Sequence, residues 1–153
     1  MVKNFYENSD HRFLSNMVDC VVQYDGVTYR SVEHAYQAQK SHEDLWKEYC
    51  QRQDVNSHQV KRKSHRIDIR DDWEEVKLQI MADLLLQKFK QQPFYSKLLD
   101  LQHEYIQEGN YWGDTFWGVC EKTGEGRNVL GKLIMNIRNA FLMVEFEESF
   151  GKF

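Results

Sequence analysis

A carboxylate and a primary amine stand seven residues apart at Glu33 and Lys40, with Tyr36 and Gln37 between them. At helical spacing these four side chains share one face, because residues three, four and seven apart lie above one another. Such a face could line a ligand pocket in which the carboxylate moves protons or stabilises positive charge. The same spacing also fits an ordinary solvated helix surface, where charged pairs at these intervals are common.

A turn and a cap are expected to position this helix. Asp25-Gly26 separates two short β-prone runs and is a preferred two-residue hairpin turn, because both positions tolerate positive φ. Ser31 suits a helix N-cap, since its hydroxyl can accept from an early backbone N–H. Glu33 then falls in the first turn, where the helix dipole favours a carboxylate. The sequence therefore predicts a hairpin that leads directly into the charged helix.

Periodicity and breakers outline the other elements. Asp72 and Glu75 match an Asp variant of the capping box at the start of the predicted helix 73–91. Pro93 is expected to end that helix. Asn128 is expected to cap the last long helix. The segment 55–64 is ambiguous, and the tail 145–153 has no assignment. The predicted strands lie near 18–24 and 27–30, and the predicted helices near 32–41, 43–51, 73–91, 94–101 and from 128 onward.

A second candidate region is the loop 108–128, which is rich in glycine and aromatic residues. It contains Trp112, Phe116 and Trp117 close to two glycines. Aromatic rings of this kind can stack on a base, which contributes roughly 1–3 kcal/mol per base. They equally suit a small core under a long loop, so both interpretations stay open for each ring.

Composition limits the class of protein. The chain has 153 residues, 41% of them hydrophobic and 14% aromatic, which fits one globular domain. A net charge of −4 argues against a general electrostatic grip on nucleic acid, although it leaves room for a local phosphate site. The basic run 61–66 either meets a pyrophosphate or is simply solvated. The whole pattern predicts a mostly helical α+β domain with a small N-terminal hairpin.

Compartment and cofactors follow from what the sequence contains. Three widely spaced cysteines without a C-x-x-C pair suggest a reducing cytoplasm rather than a disulfide framework. The first residues lack the apolar core of a signal peptide, and no apolar run is long enough for a membrane span. The six histidines show no metal-ligand spacing. We therefore expect a cytoplasmic protein without a membrane segment, a metal or a cofactor.

Three segments together resemble the NADAR family, which is named for links to NAD and ADP-ribose. The resemblance covers about residues 5–140. Members of this family include N-glycosidases of riboflavin-pathway intermediates and hydrolases that remove ADP-ribose from guanine in DNA. The first two matching segments are Arg12-Phe13-Leu14-Ser15-Asn16 and the run from Asp25-Gly26 through Ser31-Val32-Glu33-His34-Ala35-Tyr36-Gln37-Ala38-Gln39-Lys40. The third comprises Glu108 through Asp114, Trp117-Gly118, Gly126, Asn128, Leu130-Gly131, and Met135 with Arg138.

The resemblance implies catalytic roles for two residues. Cleavage of a ribosyl C1′–N bond builds oxocarbenium-like charge, which an ionised Glu33 near C1′ would stabilise. Lys40 would attack the ring-opened sugar aldehyde to form a Schiff base, which needs a neutral amine and hence a pKa lowered by desolvation. Alternatively, Lys40 holds a phosphate or orients Glu33.

The resemblance also implies a substrate and its contacts. The first-choice substrate is ADP-ribosylated guanine, in a nucleotide or in single-stranded DNA, and the second is a riboflavin-type ribosylaminopyrimidine. There are two rival hypotheses. The protein could be a non-catalytic ADP-ribose or NAD sensor, or it could be an interaction domain that binds no nucleotide. One NADAR-like domain is expected over residues 1–153. The expected substrate-binding residues are Ser15, Asn16, Tyr36, Gln37, Glu108, Trp112, Asp114, Trp117 and Asn128.

Overall fold

Two compact units make up the chain in the computed structural model, which describes residues 1–3, 5 and 9–151. One unit is Asn16–Lys90, and the other combines Met1–Ser15 with Gln91–Phe153. The expected extent of a single domain over residues 1–153 stays a prediction, and its positions 4, 6–8 and 152–153 lie outside the described residues.

The unit Asn16–Lys90 begins with the predicted hairpin. Strand β1, Val22–Tyr24, pairs antiparallel with strand β2, Val27–Tyr29. The turn residues Asp25 and Gly26 have φ values of 48° and 77°, the positive values that a type I′ turn requires. The Asp-Gly turn is therefore confirmed, although both strands are shorter than the sequence indicated.

Four helices follow in the same unit. Helix α1 is buried along all seven of its residues and packs on the other three helices and on the hairpin. A helix buried on every side has no solvated face, so the interpretation of Glu33 and its neighbours as an exposed charged surface is wrong. These helices are α1 (Val32–Ala38), α2 (Asp44–Gln51), α3 (Ser57–Lys63) and α4 (Trp73–Phe89), with a 3-10 turn at Ser64–Arg66.

Local hydrogen bonds explain where these helices begin. Helix α3 occupies the segment that the sequence left ambiguous, and a capping box between Asn56 and Gln59 starts it. The capping box predicted at Asp72 is absent among the described contacts, because Asp72 makes no side-chain cap bond. Its carboxylate instead accepts from Arg70, with the Arg70 Nη2 atom 2.9 Å from Asp72 Oδ2. The charged guanidinium competes successfully with the neutral backbone donors.

The second unit holds a short parallel strand pair and the longest helix. A 3-10 turn at Arg12–Leu14 and helix α5, Phe94–Asp100, precede strands β3, Gly109–Asn110, and β4, Val119–Cys120. Helix α6 spans Val129–Phe150, so most of the unassigned tail is helical. The region predicted as a plain loop thus contains two strands, which were missed because two residues each are too few for a periodic signal. The mostly helical α+β class with a small hairpin is confirmed.

Candidate active site

The hydrogen bonds of Ser31 and His34 fix the start of helix α1. Ser31 Oγ accepts from the His34 backbone N–H at 3.0 Å, which confirms the predicted N-cap. His34 Nε2 lies 2.7 Å from the Val55 carbonyl oxygen, so this nitrogen must donate. His34 Nδ1 then accepts from the Ser31 hydroxyl at 2.6 Å, and burial lowers the pKa of the imidazole. His34 is therefore a structural residue that holds the helix to the following segment.

Glu33 is held in the first turn of this helix. Glu33 is only 7% exposed, and its backbone N–H donates to the Asn16 carbonyl at 3.0 Å. One carboxylate oxygen, Oε1, accepts from Gln37 Nε2 at 2.8 Å. The Trp46 indole donates to the Gln37 carbonyl at 2.8 Å, which fixes the backbone under that amide. Hydrogen bonds with Gln37 and with the Asn16 backbone thus position the acid.

Lys40 lies just beyond the end of helix α1. The helix ends at Ala38, three residues earlier than predicted, and the Lys40 carbonyl accepts from the Arg70 N–H at 2.8 Å. The Lys40 ammonium nitrogen lies 5.9 Å from the centroid of the Tyr36 ring, which itself packs at 5.0 Å from the Trp73 ring. The amine therefore sits beside an aromatic pair and is only partly exposed.

The electrostatic surroundings of Lys40 favour a reactive amine. Burial is the largest influence and lowers the pKa of Lys40 below the usual value of a lysine. The Glu33 carboxylate opposes this shift, while the positive charges of Lys61 and Lys77 reinforce it. Desolvation dominates, so the neutral amine is more accessible to this lysine than to one in water. The catalytic roles that the resemblance implies for Glu33 and Lys40 stay predictions.

The second unit organises its predicted polar residues around Asn110. Asn110 is fully buried, its Nδ2 donates to the Asp114 carbonyl at 2.8 Å, and its Oδ1 accepts from the Asp114 N–H at 3.0 Å. Asp114 Oδ1 accepts from the N–H groups of Phe116 and Trp117 at 3.1 and 2.9 Å. Asp114 therefore caps a turn with this oxygen. Sequence reasoning missed Asn110, although it lies between two acids that were singled out.

Asn128 precedes helix α6 but does not cap it with its side chain. Its φ of 51° places it in the left-handed region, and its side chain makes no cap hydrogen bond. Instead Oδ1 accepts from the Glu108 N–H at 3.0 Å and Nδ2 donates to the Ile106 carbonyl at 2.9 Å. The predicted cap is wrong because these backbone groups outcompete the helix terminus. A role for Asn128 in substrate contact stays a prediction.

Close packing explains two glycines in this region. A Cβ atom at Gly118 would collide with the Glu108 carboxylate, and one at Gly131 would collide with the Asn128 amide and the Ile106 carbonyl. Gly118 and Gly131 thus lack a side chain at positions where polar groups pack closely against the backbone. Glu108 Oε2 also accepts from Asn110 Nδ2 at 3.3 Å.

The remaining predicted residues differ in exposure. Trp112 is 60% exposed, whereas Trp117 is half-buried with its ring edge-on to Phe116 at 4.7 Å. Ser15 is half-buried, and its backbone N–H donates to the Arg12 carbonyl at 2.9 Å. Of the two tryptophans, Trp112 has the surface that a stacking residue needs, and Trp117 has the packing of a structural one.

Among residues 1–3, 5 and 9–151, no group of three or more His, Cys, Asp and Glu side chains could hold a metal ion. Within the same residues, every helix is too short or too polar to cross a bilayer.

Comparison with known proteins identifies the family. The NADAR domain model matches residues 4–142. N-glycosidase YbiA of Escherichia coli is 33% identical over 144 residues, which cover 88% of this chain and 85% of that protein. The riboflavin biosynthesis protein VVA0006 of Vibrio vulnificus is also 33% identical, over 138 residues that cover 88% of this chain but 37% of the relative. The chain belongs to the NADAR family.

A solved structure supports the same assignment. The NMR structure of the Escherichia coli protein YbiA superposes with a TM-score of 0.81 at 28% sequence identity. The match covers 95% of this chain and 87% of that one. The helical α+β fold with its small hairpin is thus shared with a relative whose name is that of an N-glycosidase.

Proposed function

We propose that this protein is an N-glycosidase that hydrolyses a ribosyl C1′–N bond, with Glu33 and Lys40 as its catalytic residues. The observation that carries the proposal is the buried carboxylate of Glu33, held by Gln37 at 2.8 Å, on the helix that leads directly to the partly buried amine of Lys40. The class of enzyme, a hydrolase of N-glycosidic bonds, agrees with the names of relatives that this chain matches over 85% of their length.

Glu33 acts on the charge that develops at the sugar. Positive charge develops at C1′ during the reaction, and a fixed carboxylate stabilises it without reorganisation. Gln37 holds Glu33 Oε1 at 2.8 Å, so the direction of the carboxylate is set before substrate arrives. Glu33 also takes up a proton from the Lys40 amine as that amine adds to C1′, and then delivers this proton to the departing base nitrogen.

Lys40 acts as the nucleophile toward the opened sugar. The sugar ring opens when the C1′–O4′ bond breaks and the proton of the glycosidic nitrogen passes to O4′, which leaves an imine between C1′ and the base nitrogen. The neutral Lys40 amine adds to C1′ of this imine, its two protons pass in turn to the base nitrogen, and the C1′–N bond to the base breaks to leave a Schiff base on Lys40. Water hydrolyses the resulting Schiff base, which releases the sugar aldehyde and restores the amine. The lowered pKa of Lys40, caused first by burial, makes the neutral amine available for this step.

ADP-ribosylated guanine is the first proposed substrate, and a riboflavin-type ribosylaminopyrimidine is the second. The second is favoured by a specific finding, since the Vibrio vulnificus relative is named as a riboflavin biosynthesis protein. The exposed ring of Trp112 supports stacking on a base in either case. The net charge of −4 favours a nucleotide or a single strand over extended duplex DNA.

The other predicted contacts keep their proposed roles. Ser15 and Asn16 are polar contacts, Tyr36 packs beside the amine, and Glu108 is a candidate for ribose hydroxyls. The cytoplasm is the proposed compartment, because Cys20, Cys50 and Cys120 are free thiols in the structure.

Chromatography of reaction mixtures tests the proposed function. The protein is incubated separately with ADP-ribosylated guanosine and with a ribosylaminopyrimidine 5-phosphate, and free base is quantified over time. We expect release of base from at least one of these substrates. The substrate that is cleaved faster indicates the class of the natural substrate. Tight calorimetric binding of ADP-ribose without release of base from either substrate would instead identify a sensor.

A further inference from the structure

Two buried acceptor oxygens beside Glu33 lack a donor. Among the described residues, four buried side-chain atoms have no hydrogen-bond partner, and two of them are Gln37 Oε1 and Asn16 Oδ1. The other two, Glu121 Oε1 and Arg138 Nε, belong to the other unit. A buried acceptor without a donor costs free energy, so each such group calls for an explanation.

The orientation of the Gln37 amide is fixed by its neighbours. Gln37 is 5% exposed, and its Nε2 faces Glu33 Oε1 at 2.8 Å. A carboxylate accepts only, so the amide must present its NH2 group to Glu33 and its oxygen elsewhere. Gln37 Oε1 therefore belongs to the same amide group that binds the Glu33 carboxylate, and it accepts no hydrogen bond from the described residues.

Asn16 also carries an unpaired amide oxygen, and it is bound to the first turn of helix α1. Its backbone carbonyl accepts from the Glu33 N–H at 3.0 Å, which ties Asn16 to the start of helix α1. Its Nδ2 is used by a weak contact to Met81 Sδ at 3.6 Å, and Oδ1 stays without a donor. Two residues that form hydrogen bonds with Glu33 thus each carry an amide oxygen without a donor, and a ligand that satisfies these oxygens must bring hydroxyl or amine donors.

We infer that Gln37 Oε1, assisted by Asn16 Oδ1, accepts the hydroxyl group next to the anomeric carbon, so that the enzyme selects ribosyl over 2′-deoxyribosyl substrates. This inference rests on the proposed function, which puts C1′ beside Glu33. The C2′ hydroxyl is the donor closest to C1′, and hydrogen bonds to it strengthen in glycosidase transition states. Gln37 then has two separable roles: its side-chain nitrogen positions Glu33, and its side-chain oxygen accepts a hydrogen bond from the C2′ hydroxyl of the sugar.

Paired substrates separate these tasks. We compare base release from a ribosyl glycoside and from its 2′-deoxyribosyl analogue with the same base. For the unaltered protein we expect kcat/KM to favour the ribosyl substrate by about 10- to 100-fold, the effect of leaving a buried acceptor unpaired. For Gln37→Met the preference should fall by about tenfold, because the accepting oxygen is gone.

Gln37→Glu and Gln51→Met complete the set. Gln37→Glu keeps acceptor oxygens but loses the donor to Glu33, so it should retain the sugar preference while kcat falls. Gln51→Met alters an exposed glutamine in helix α2 and should match the unaltered protein. Thermal melting of each variant establishes that it is folded. An unchanged sugar preference in folded Gln37→Met, or an equal loss on both substrates, would overturn the inference.

A binding experiment keeps the inference distinct from catalysis. Calorimetry with ribose 5-phosphate and 2-deoxyribose 5-phosphate needs no turnover. Tighter binding of ribose 5-phosphate by about tenfold, lost in Gln37→Met, would support the inference even if no substrate were cleaved. Equal affinity for the two sugars, together with normal release of base, would overturn the inference and leave the proposed function standing.

Discussion

The first helix of one unit and the loop region of the other both bury acids and amides, but they use them differently. Around Asn110, Asp114 and Asn128, amide and carboxylate oxygens accept from backbone N–H groups at 2.9–3.1 Å. Around Glu33, two amide oxygens lack donors and an amine is desolvated. Satisfied buried networks stabilise and specify a fold, whereas buried groups left unsatisfied are candidates for function.

This contrast assigns chemistry to helix α1 and scaffolding to the network around Asn110, Asp114 and Asn128. It predicts that variants of α1 lose turnover while they stay folded. Variants of the Asn110 network should lose stability while each folded molecule keeps most of its turnover.

Lys40→Met should have the largest effect. Removing a nucleophile takes away the covalent step, so we expect the rate of base release to fall by about 10³-fold or more. The measurement is single-turnover release of base, followed by chromatography. Lys90→Met, at an exposed lysine that follows helix α4, is the matched control and should be unaffected. A Lys40→Met protein within tenfold of the unaltered rate would limit Lys40 to a binding role.

Glu33→Gln should rank next. The substitution keeps the size of the side chain but removes the charge that opposes the developing cation, so kcat should fall by about 10²- to 10³-fold. Steady-state kinetics measures the loss, and KM should change much less. Glu48→Gln on the exposed side of helix α2 is the control. Equal losses in both variants would remove Glu33 from the mechanism.

Asn128→Ala should act on stability. It removes the donor to the Ile106 carbonyl and the acceptor of the Glu108 N–H, and alanine tolerates a positive φ poorly. We expect the free energy of unfolding to fall by about 2–3 kcal/mol in urea titrations. Asn128→Gly accommodates the same φ and isolates the loss of the side chain. If Asn128→Ala instead kept its stability and lost turnover, the assignment of this region as scaffold would be reversed.

Trp112→Ala tests the part of the loop that faces solvent. Its ring is 60% exposed, so removing it should leave the melting temperature nearly unchanged. Loss of stacking should raise KM by about five- to tenfold, at the lower end of the known range. Trp117→Ala is the contrasting variant and should lower stability, because that ring packs on Phe116 at 4.7 Å. Equal KM values for Trp112→Ala and the unaltered protein would exclude stacking by Trp112.

The pH profile should show the smallest change. Burial lowers the pKa of Lys40, so the neutral amine, and with it the rate, should increase as pH rises toward that lowered pKa. Glu33 raises the pKa of Lys40, so the residual activity of Glu33→Gln should have its rising limb at lower pH. A limb at the same pH in both proteins would mean that the two groups do not interact.

The sequence predicted local features better than long-range ones. The Asp25-Gly26 turn and the Ser31 cap depend on neighbouring residues, and both are present. The cap expected at Asp72 failed because Arg70, two residues earlier, binds its carboxylate. The side-chain cap expected at Asn128 failed because the Glu108 N–H, twenty residues away, took its oxygen, and no local pattern could reveal that competitor.

The site shows the same division. Helical spacing brought Glu33 and Gln37 together correctly, and they form a hydrogen bond. The burial of helix α1 on every side was not predicted, because its polar residues are typical of a surface. Periodicity indicates which residues share a face, but only packing decides whether that face meets water, protein or a ligand.

Borohydride trapping with peptide mapping tests the central claim most directly. The protein is incubated with a cleaved substrate, the Schiff base is reduced, and the modified peptide is located by mass spectrometry. The account predicts one sugar adduct on Lys40, absent from Lys40→Met and reduced in Glu33→Gln. An adduct on a different lysine, or full release of base with no adduct at all, would contradict it.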